Sequence, residues 1–375
     1  MSAIINNSFR KYQADNFIGS FSTNNIYLAI GKNDPWAGAS AGEYVETTPS
    51  DTSIPVPIDT TVSSFLHYGD LIAMKKIPTS SISHVLKRVD WTSGTVYVEY
   101  NHLQDDMIDQ DFFVFTEDFN VYKCISNNGG VPSTVKPTSD SVDIIETADG
   151  YRWKFMYEVQ QADVLKYVTT DWIPVKYLTA DDSTAQWNVQ QNAVDGSLEH
   201  IDVTAGGAGY YSNTGTAQSG NTSTKIQLAA NASSTDDYYN NMTVYITSGA
   251  GAGELKTITD YDGTTKEATV DTVWTTTPTI TSVYQVMPAV SITSTTGSGA
   301  IYRVSAVTAG AITKVTSVNK GANYRDATAT VTSGAGSSCI LTPLVSPVNG
   351  HGKDAVTELG GAKVCLLYTS DAADE

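Results

Sequence analysis

The residues of this chain that could do chemistry are few and poorly placed for it. Five histidines stand at His67, His84, His102, His200 and His351, and none has the H-x-x-H or H-E-x-x-H spacing that brings two imidazoles to one zinc ion. His351 lies in Asn349-Gly-His-Gly352, which reads as a turn. No serine sits in a G-x-S-x-G elbow, and no cysteine has a protease-like setting. Asp105, Asp106, Asp109 and Asp111 form the densest run of carboxylates, the hard oxygen ligands that calcium takes. They lack the spacing and the central glycine of an EF-hand loop, so they read as a solvated loop ahead of a strand at Phe112. The glycines between Gly249 and Gly253 do not make a phosphate loop, because Glu254-Leu255 follows where Lys-Ser/Thr is required. A hairpin tip is expected there. Glycoside cleavage needs two carboxyls set across a cleft, and the sequence nominates no such pair. No catalytic, cofactor-binding or metal-binding residue is nominated, no cofactor is expected, and the chain reads as a non-enzyme.

Charge narrows the partners. The 375 residues carry 22 basic and 40 acidic side chains, a net −18. Such a chain repels phosphate backbones, and no Lys/Arg-rich stretch offers a local exception, so no nucleic-acid partner is expected. The acidity suits solubility or docking onto a basic protein surface. No apolar run reaches the eighteen or so residues of a membrane helix, and MSAIINNSFRKYQADNF lacks a basic start followed by an apolar core. No membrane partner is expected. Cys124 and Cys339 are far apart and read as two buried thiols in a reducing compartment. The N-x-S/T triplets at Asn221, Asn231 and Asn241 are then chance matches in Ser/Thr-rich turns.

The elements that would position any site are mostly strands. Thr, Ser, Gly, Ala, Val and Tyr dominate, which suits pleated surfaces joined by Gly, Asn and Asp turns. Residues 8–20 read as a short helix or an extended arm, Asn25–Gly31 as a strand, and 37–62 as a long polar loop. The run Ser63–Met74 reads as a helix, although Phe65, Leu66, Ile72 and Met74 only partly follow helical spacing. Alternation from Ser83 to Tyr100 puts Val96, Val98 and Tyr100 on one face of a strand and Tyr97 and Glu99 on the other. Phe112–Phe115 and Val121–Ile125 read as a hairpin, and Asp149-Gly150 as the turn before a strand Tyr151–Val159. In that strand Trp153, Phe155 and Tyr157 alternate with Arg152, Lys154 and Met156. Asp163–Val168 reads as one or two helical turns.

Near residue 195 the texture changes to Gly, Thr, Ser and Ala with short, frequent strands. His200-Ile-Asp-Val-Thr-Ala-Gly-Gly-Ala-Gly-Tyr210 parallels Lys314-Val-Thr-Ser-Val-Asn-Lys-Gly-Ala-Asn-Tyr324, a weak repeat of strand, Gly-rich turn and tyrosine. Between the copies, 236–290 reads as a meander. In Tyr210-Tyr211 and Tyr238-Tyr239 one ring of each pair is expected to be exposed. Residues 365–375, Cys-Leu-Leu-Tyr-Thr-Ser-Asp-Ala-Ala-Asp-Glu, resemble a translated transposase-type sequencing adapter. Without their three acids the net charge moves from −18 to −15. The expected organisation is an N-terminal β domain over 1–194, inserted β-modules over 195–345 with the repeat at 200–235 and 312–345, the start of a truncated C-terminal region over 346–364, and a non-native tail over 365–375.

The order of motifs in the N-terminal half carries a resemblance. Phe9-Arg10 and Asn16-Phe17 come first, then Ile26-Tyr-Leu-Ala-Ile-Gly-Lys-Asn-Asp-Pro-Trp36. Lys87-Arg-Val-Asp-Trp91, Val121-Tyr-Lys-Cys-Ile125 and Asp149-Gly-Tyr-Arg-Trp-Lys-Phe-Met-Tyr-Glu158 follow. This succession over roughly residues 8–190 resembles the baseplate wedge subunit, of the gene-product-eight type, of T-even-like contractile-tailed bacteriophages. The segment Gly350-His-Gly352 with Glu358-Leu-Gly-Gly361 is similar to that family's return toward its C-terminal part. The resemblance implies a mostly β protein with a β-sandwich-type wedge domain, here with inserted Gly/Thr-rich β-modules and few short helices. It implies a homodimer that contacts other baseplate wedge proteins, in a virion tail baseplate assembled in the host cytoplasm, with no enzymatic role. The loop 33–62, with Trp36 and several prolines, is the segment expected to touch a partner. Two other functions fit parts of the chain. One is a host-glycan-binding or particle-decorating module over 195–345, marked by an exposed aromatic platform. The other is a polysaccharide-degrading tail hydrolase, marked by convergent titratable groups in a concave site.

Overall fold

The computed structural model describes residues 6–31, 68–69 and 71–368. Strand accounts for 40% and helix for 13%, in several antiparallel sheets, so the chain is mostly β as its composition implies. In chain order the first strands are β1 Tyr27–Gly31, β2 Leu71–Lys76, β3 Ile82–Lys87, β4 Phe113–Phe115, β5 Asn120–Ser126, β6 Ile145–Glu146, β7 Arg152–Glu158 and β8 Trp172–Val175. There follow β9 Leu198–Ala208, β10 Asn213–Thr216, β11 Lys225–Gln227, β12 Thr243–Ser248, β13 Leu255–Asp262, β14 Glu267–Val270 and β15 Val283–Met287. The last are β16 Val290–Thr293, β17 Ser298–Thr308, β18 Ala311–Ala322, β19 Thr328–Val331, β20 Ser337–Val345 and β21 Lys363–Leu366. Two compact units emerge, one from residues 1–88, 159–176 and 360–375, the other from 89–158 and 177–359. They cut across the segments 1–194, 195–345 and 346–364 drawn from composition.

The first unit opens with a helix, Asn7–Thr23, longer than the 8–20 expected. Asn6 caps it by accepting a hydrogen bond from the Phe9 N–H at 2.9 Å, satisfying one of the donors a helix start leaves open. Its Ile18 and Phe21 pack with Ile26, Leu28, Ile77 and Ile82 in a small core. β1 pairs with β2, and β3 is the centre of the sheet β21-β3-β8. The expected helix over Ser63–Met74 is corrected here: Leu71–Lys76 is a strand, because pairing with Tyr27–Gly31 satisfies its backbone. Residues 63–67, and the loop 33–62 with Trp36, lie outside the described residues. Strand β21 runs through Val364 into Cys365 and Leu366, opposite Ser83 and Ile82, and Leu366 and Tyr368 join the core.

The second unit is built on the sheet β4-β5-β7-β6. The hairpin and the strand after Asp149-Gly150 are present as expected. One face of β5 and β7 carries Tyr122, Cys124, Trp153 and Phe155, covered by Tyr97, Tyr151 and by Val189 of a helix Ala185–Asn192 that the sequence reading missed. The alternation expected over 96–100 fails: this stretch is extended without a strand ladder, Tyr97 is buried and Val96 is 50% exposed. Its backbone bonds instead to irregular partners, Val98 N–H to the Asp111 carbonyl and Tyr100 N–H to the Cys124 carbonyl. Cys124 is fully buried, whereas Cys339 is only half-buried, a correction to the expected pair of buried thiols.

Beyond residue 195 the first three strands of the expected meander, β12-β13-β14, pair in sequence, but β15 returns to pair with β12 and not β14, a correction, in a six-stranded sheet ordered β10-β15-β12-β13-β14-β11. The Gln218 N–H donates to the Gln227 carbonyl, so the two edges meet around a core that includes Met242, Val244, Ile258, Tyr261 and Tyr284. The Gly249–Gly253 segment is the tip between β12 and β13.

The weak repeat is a structural duplication. β9 pairs with β20, with Ala208 opposite Ser337 and Gly206 opposite Cys339. β18 pairs with β17, with Ala322 opposite Ser298 and Lys320 opposite Ala300, the same register. In each copy a glycine at positive φ, Gly207 (+64°) or Gly321 (+61°), lies three residues before the tyrosine. A Cβ on Gly207 would meet the Ser337 oxygen at 2.3 Å and the Cys339 nitrogen at 2.7 Å. On Gly321 it would meet the Ser298 oxygen at 2.6 Å and the Ala300 nitrogen at 2.5 Å. The facing glycines, Gly336 and Gly297, leave room for the rings of Tyr210 and Tyr324. Each partner strand therefore begins with a matching element, Gly336-Ser-Ser-Cys-Ile340 or Gly297-Ser-Gly-Ala-Ile301, that the sequence reading did not connect to the repeat.

Candidate functional site

Chemistry-bearing side chains converge on the second face of β5 and β7. Strand alternation that turns Cys124 and Trp153 into the aromatic core turns Lys123 and Lys154 the other way. The two lysines are directly opposite one another and almost wholly buried. Like charges so placed repel, so each needs compensation.

Lys123 has three partners for its three N–H donors. The ammonium donates to Glu358 Oε2 at 3.1 Å and to His351 Nδ1 at 3.1 Å, and it lies 3.9 Å from the centre of the Tyr100 ring. Lys154 donates to the Val142 carbonyl and feels the nearby charge of Glu199. Glu358 also accepts from the Gly352 N–H at 2.8 Å and the Asp354 N–H at 3.3 Å. Burial would raise its pKa, but the Lys123 charge, His351 and the Gly352 N–H outweigh burial and hold it at about 2. Burial, and after it the charge of Lys123, keeps His351 below its ordinary value. The turn around His351 is thus a core element of this unit, a correction to its reading as an ordinary turn. Only 1% of the residue is exposed.

A second cluster lies further along the same strands. Asp202 Oδ1 accepts from Ser126 Oγ at 3.2 Å and from His200 Nε2 at 2.5 Å. The Arg152 guanidinium donates to His200 Nδ1, which leaves the imidazole hydrogen on Nε2 for Asp202. Burial, then the charge of Asp202, raises the pKa of Glu99, against a hydrogen bond from the Asn127 N–H. A serine, a histidine and an aspartate meet here, but in the wrong order for a nucleophilic relay. Ser126 donates to the carboxylate and not to the imidazole, so no base faces the hydroxyl. Glu99 and Asp202 lie near enough for one carboxylate to act on the other, with no signal of this in their sequence spacing.

Two of the motifs of the N-terminal half, those holding Trp91 and Asp149-Gly-Tyr-Arg-Trp153, meet around Asp149. Its Oδ2 accepts from Ser133 Oγ and the Thr134 and Val135 N–H groups, and its Oδ1 from Thr147 Oγ1 at 2.5 Å and the Tyr151 N–H. Trp91 Nε1 donates to Ser133 Oγ at 3.1 Å, and Tyr151 stacks on Trp153 with ring centres 5.4 Å apart. Burial would raise the Asp149 pKa, yet these hydrogen bonds, led by Thr147, bring it below its usual value.

Elsewhere the titratable residues serve structure. Asp106 accepts from Gln104 and Gln110 within the acidic loop. His84 contacts Asp15 at 3.1 Å, and His102 Nδ1 accepts from the Val345 N–H. His67 lies outside the described residues. Tyr211 is exposed as expected, whereas Tyr238 is half-buried, and the two rings stack on each other at 4.4 Å. Tyr239 meets the Tyr238 ring edge-on at 5.0 Å, so the rings tie two modules together and leave little free face. Among the described residues no group of three or more His, Cys, Asp or Glu side chains is placed to hold a metal ion, and no helix is long and apolar enough to cross a membrane. No family model matches the chain, and no curated protein matches it.

Proposed function

We propose that this chain is a structural subunit of a contractile-tail baseplate wedge, acting as a homodimer through assembly contacts with other wedge proteins and not by catalysis. The observation that carries the reading is the role of the shared motif residues. Trp91, Asp149, Tyr151 and Trp153 are spent on one hydrogen-bonded, stacked core, in which Asp149 alone accepts five hydrogen bonds. Such residues preserve a shape, which is what an assembly subunit needs. The two polar clusters have their charges turned on one another, an arrangement that stiffens layers. Apolar side chains remain at the surface of the first unit: Tyr27, Ile72 and Met74 are 53%, 61% and 59% exposed on the β1–β2 ribbon. Strand alternation and the pairing of Ala29 with Met74 place Tyr27 and Met74 on one face, with Ile72 at the bulge beside them. Exposed apolar faces of this kind suit protein contacts.

The test is light scattering of the purified chain, then co-expression with the other wedge subunits of the same tail. A symmetric dimer that co-purifies with wedge partners is expected. Cleavage of bacterial polysaccharide by the purified protein would overturn the reading.

A further inference from the structure

The contacts of His351 fix its protonation. With Lys123 as the donor, Nδ1 accepts, which corresponds to a neutral ring with its hydrogen on Nε2. Four charged neighbours face it from four elements. Lys123 comes from β5, Glu358 from the short helix Ala355–Glu358, Glu199 from β9, and Lys154 from β7. Tyr100 meets the imidazole edge-on, with ring centres 4.9 Å apart. The carboxylate of Glu358 is 3.8 Å from Nδ1 and already engages Lys123 and two backbone N–H groups. A proton added to His351 would put a second cation against Lys123, in a site where neither can reach water.

From this geometry we infer that residues 350–359 form an acid-released latch, docked on β5 through Lys123 at neutral pH and freed when His351 takes up a proton. The segment's other polar ties are mostly internal: the Lys353 N–H donates to the Gly350 carbonyl, the Thr357 N–H and Oγ1 to Asp354, the Glu358 N–H to the Asp354 carbonyl and the Leu359 N–H to the Ala355 carbonyl. Outside it, the Gly350 N–H donates to the Pro347 carbonyl and Lys353 to the Gln190 carbonyl, and Ala355, Val356 and Leu359 are buried. The released imidazole binds a proton near pH 6.5 and the docked one resists it, so docking is complete above that pH and weakens as pH falls.

Hydrogen exchange of the full chain at pH 7.5 and 5.5, corrected for intrinsic rates, reads this at the Gly352, Glu358 and Leu359 amides. About a tenfold loss of protection at the lower pH is expected. In His351→Gln, whose side-chain oxygen still accepts from Lys123 but cannot titrate, that loss should vanish. In Lys123→Met the sign should invert, because protonated His351 then becomes the partner of Glu358 and acid tightens the segment. Unchanged protection in the unmodified chain would overturn the latch. So would an equal acid response in His351→Gln, or an acid loss in Lys123→Met. The Lys123→Met result decides by itself if the glutamine variant does not fold.

Discussion

The ammonium of Lys123 lies 3.1 Å from the carboxylate of Glu358, with 0% and 3% of the two side chains exposed, although 235 positions separate them. The contact joins the central strand of one sheet to the last helix of the same unit. Burying an ion pair gains little over a well-packed apolar pair, but removing one partner strands the other. Lys123→Met or Glu358→Gln should each destabilise the protein by about 3–5 kcal/mol, measured by urea denaturation. The double change Lys123→Met with Glu358→Leu should cost less than either alone. Single-variant losses near zero would show that water reaches this site.

Acid should expose the same pair. The Glu358 pKa of about 2 in the fold lies below its usual 4.5. In a His351→Gln background, where the segment stays docked in acid, its contribution is fully present above pH 4.5 and is lost as pH falls toward 2, by about 3 kcal/mol in all. Denaturation midpoints across this range should be flatter in Glu358→Gln. An unchanged slope would mean that other carboxylates dominate acid unfolding.

The duplicated clamp makes a paired prediction. Gly207→Ala and Gly321→Ala each force a side chain into a left-handed backbone and against a facing strand, at about 3 kcal/mol apiece. Similar losses in thermal unfolding are expected for both. Gly253→Ala, at a tip where nothing lies within 4 Å, should cost about 1–2 kcal/mol through backbone strain alone. A large difference between Gly207→Ala and Gly321→Ala would argue against equivalent clamps.

Surface changes on the β1–β2 ribbon separate folding from assembly. Ile72→Ser and Met74→Ser should shift stability by less than about 0.5 kcal/mol each. Their combination should weaken co-purification with wedge partners. Intact assembly with both serines in place would remove this face from the contact surface.

Strong local signals in the chain were readable without coordinates. Strand Arg152–Glu158 was legible because Asp149-Gly150 marks its start and its aromatics alternate. The first three strands of the meander were legible because their turns are punctuated by Gly and Asp. The stretch Ser63–Met74 misled because four apolar residues at mixed spacing do not distinguish a helix from a strand, and the partner of Leu71–Lys76 lies far back at Tyr27–Gly31. The helix Ala185–Asn192 was missed because AQWNVQQN has little apolar periodicity, and Gln190 is held by hydrogen bonds to Leu178.

Composition and alternation determined that this chain is mostly β, through period-two burial, and the repeat itself spells a glycine three places before each tyrosine, which the structure shows is required by the facing strand and a positive φ and not by the turn that the sequence suggested. Tertiary structure alone decided where the charges meet. Lys123, Glu199, His351 and Glu358 lie on elements that sequence separation keeps apart, and only strand pairing and the returning helix bring them into one dry layer. Burial then sets their protonation, which no local pattern of residues encodes.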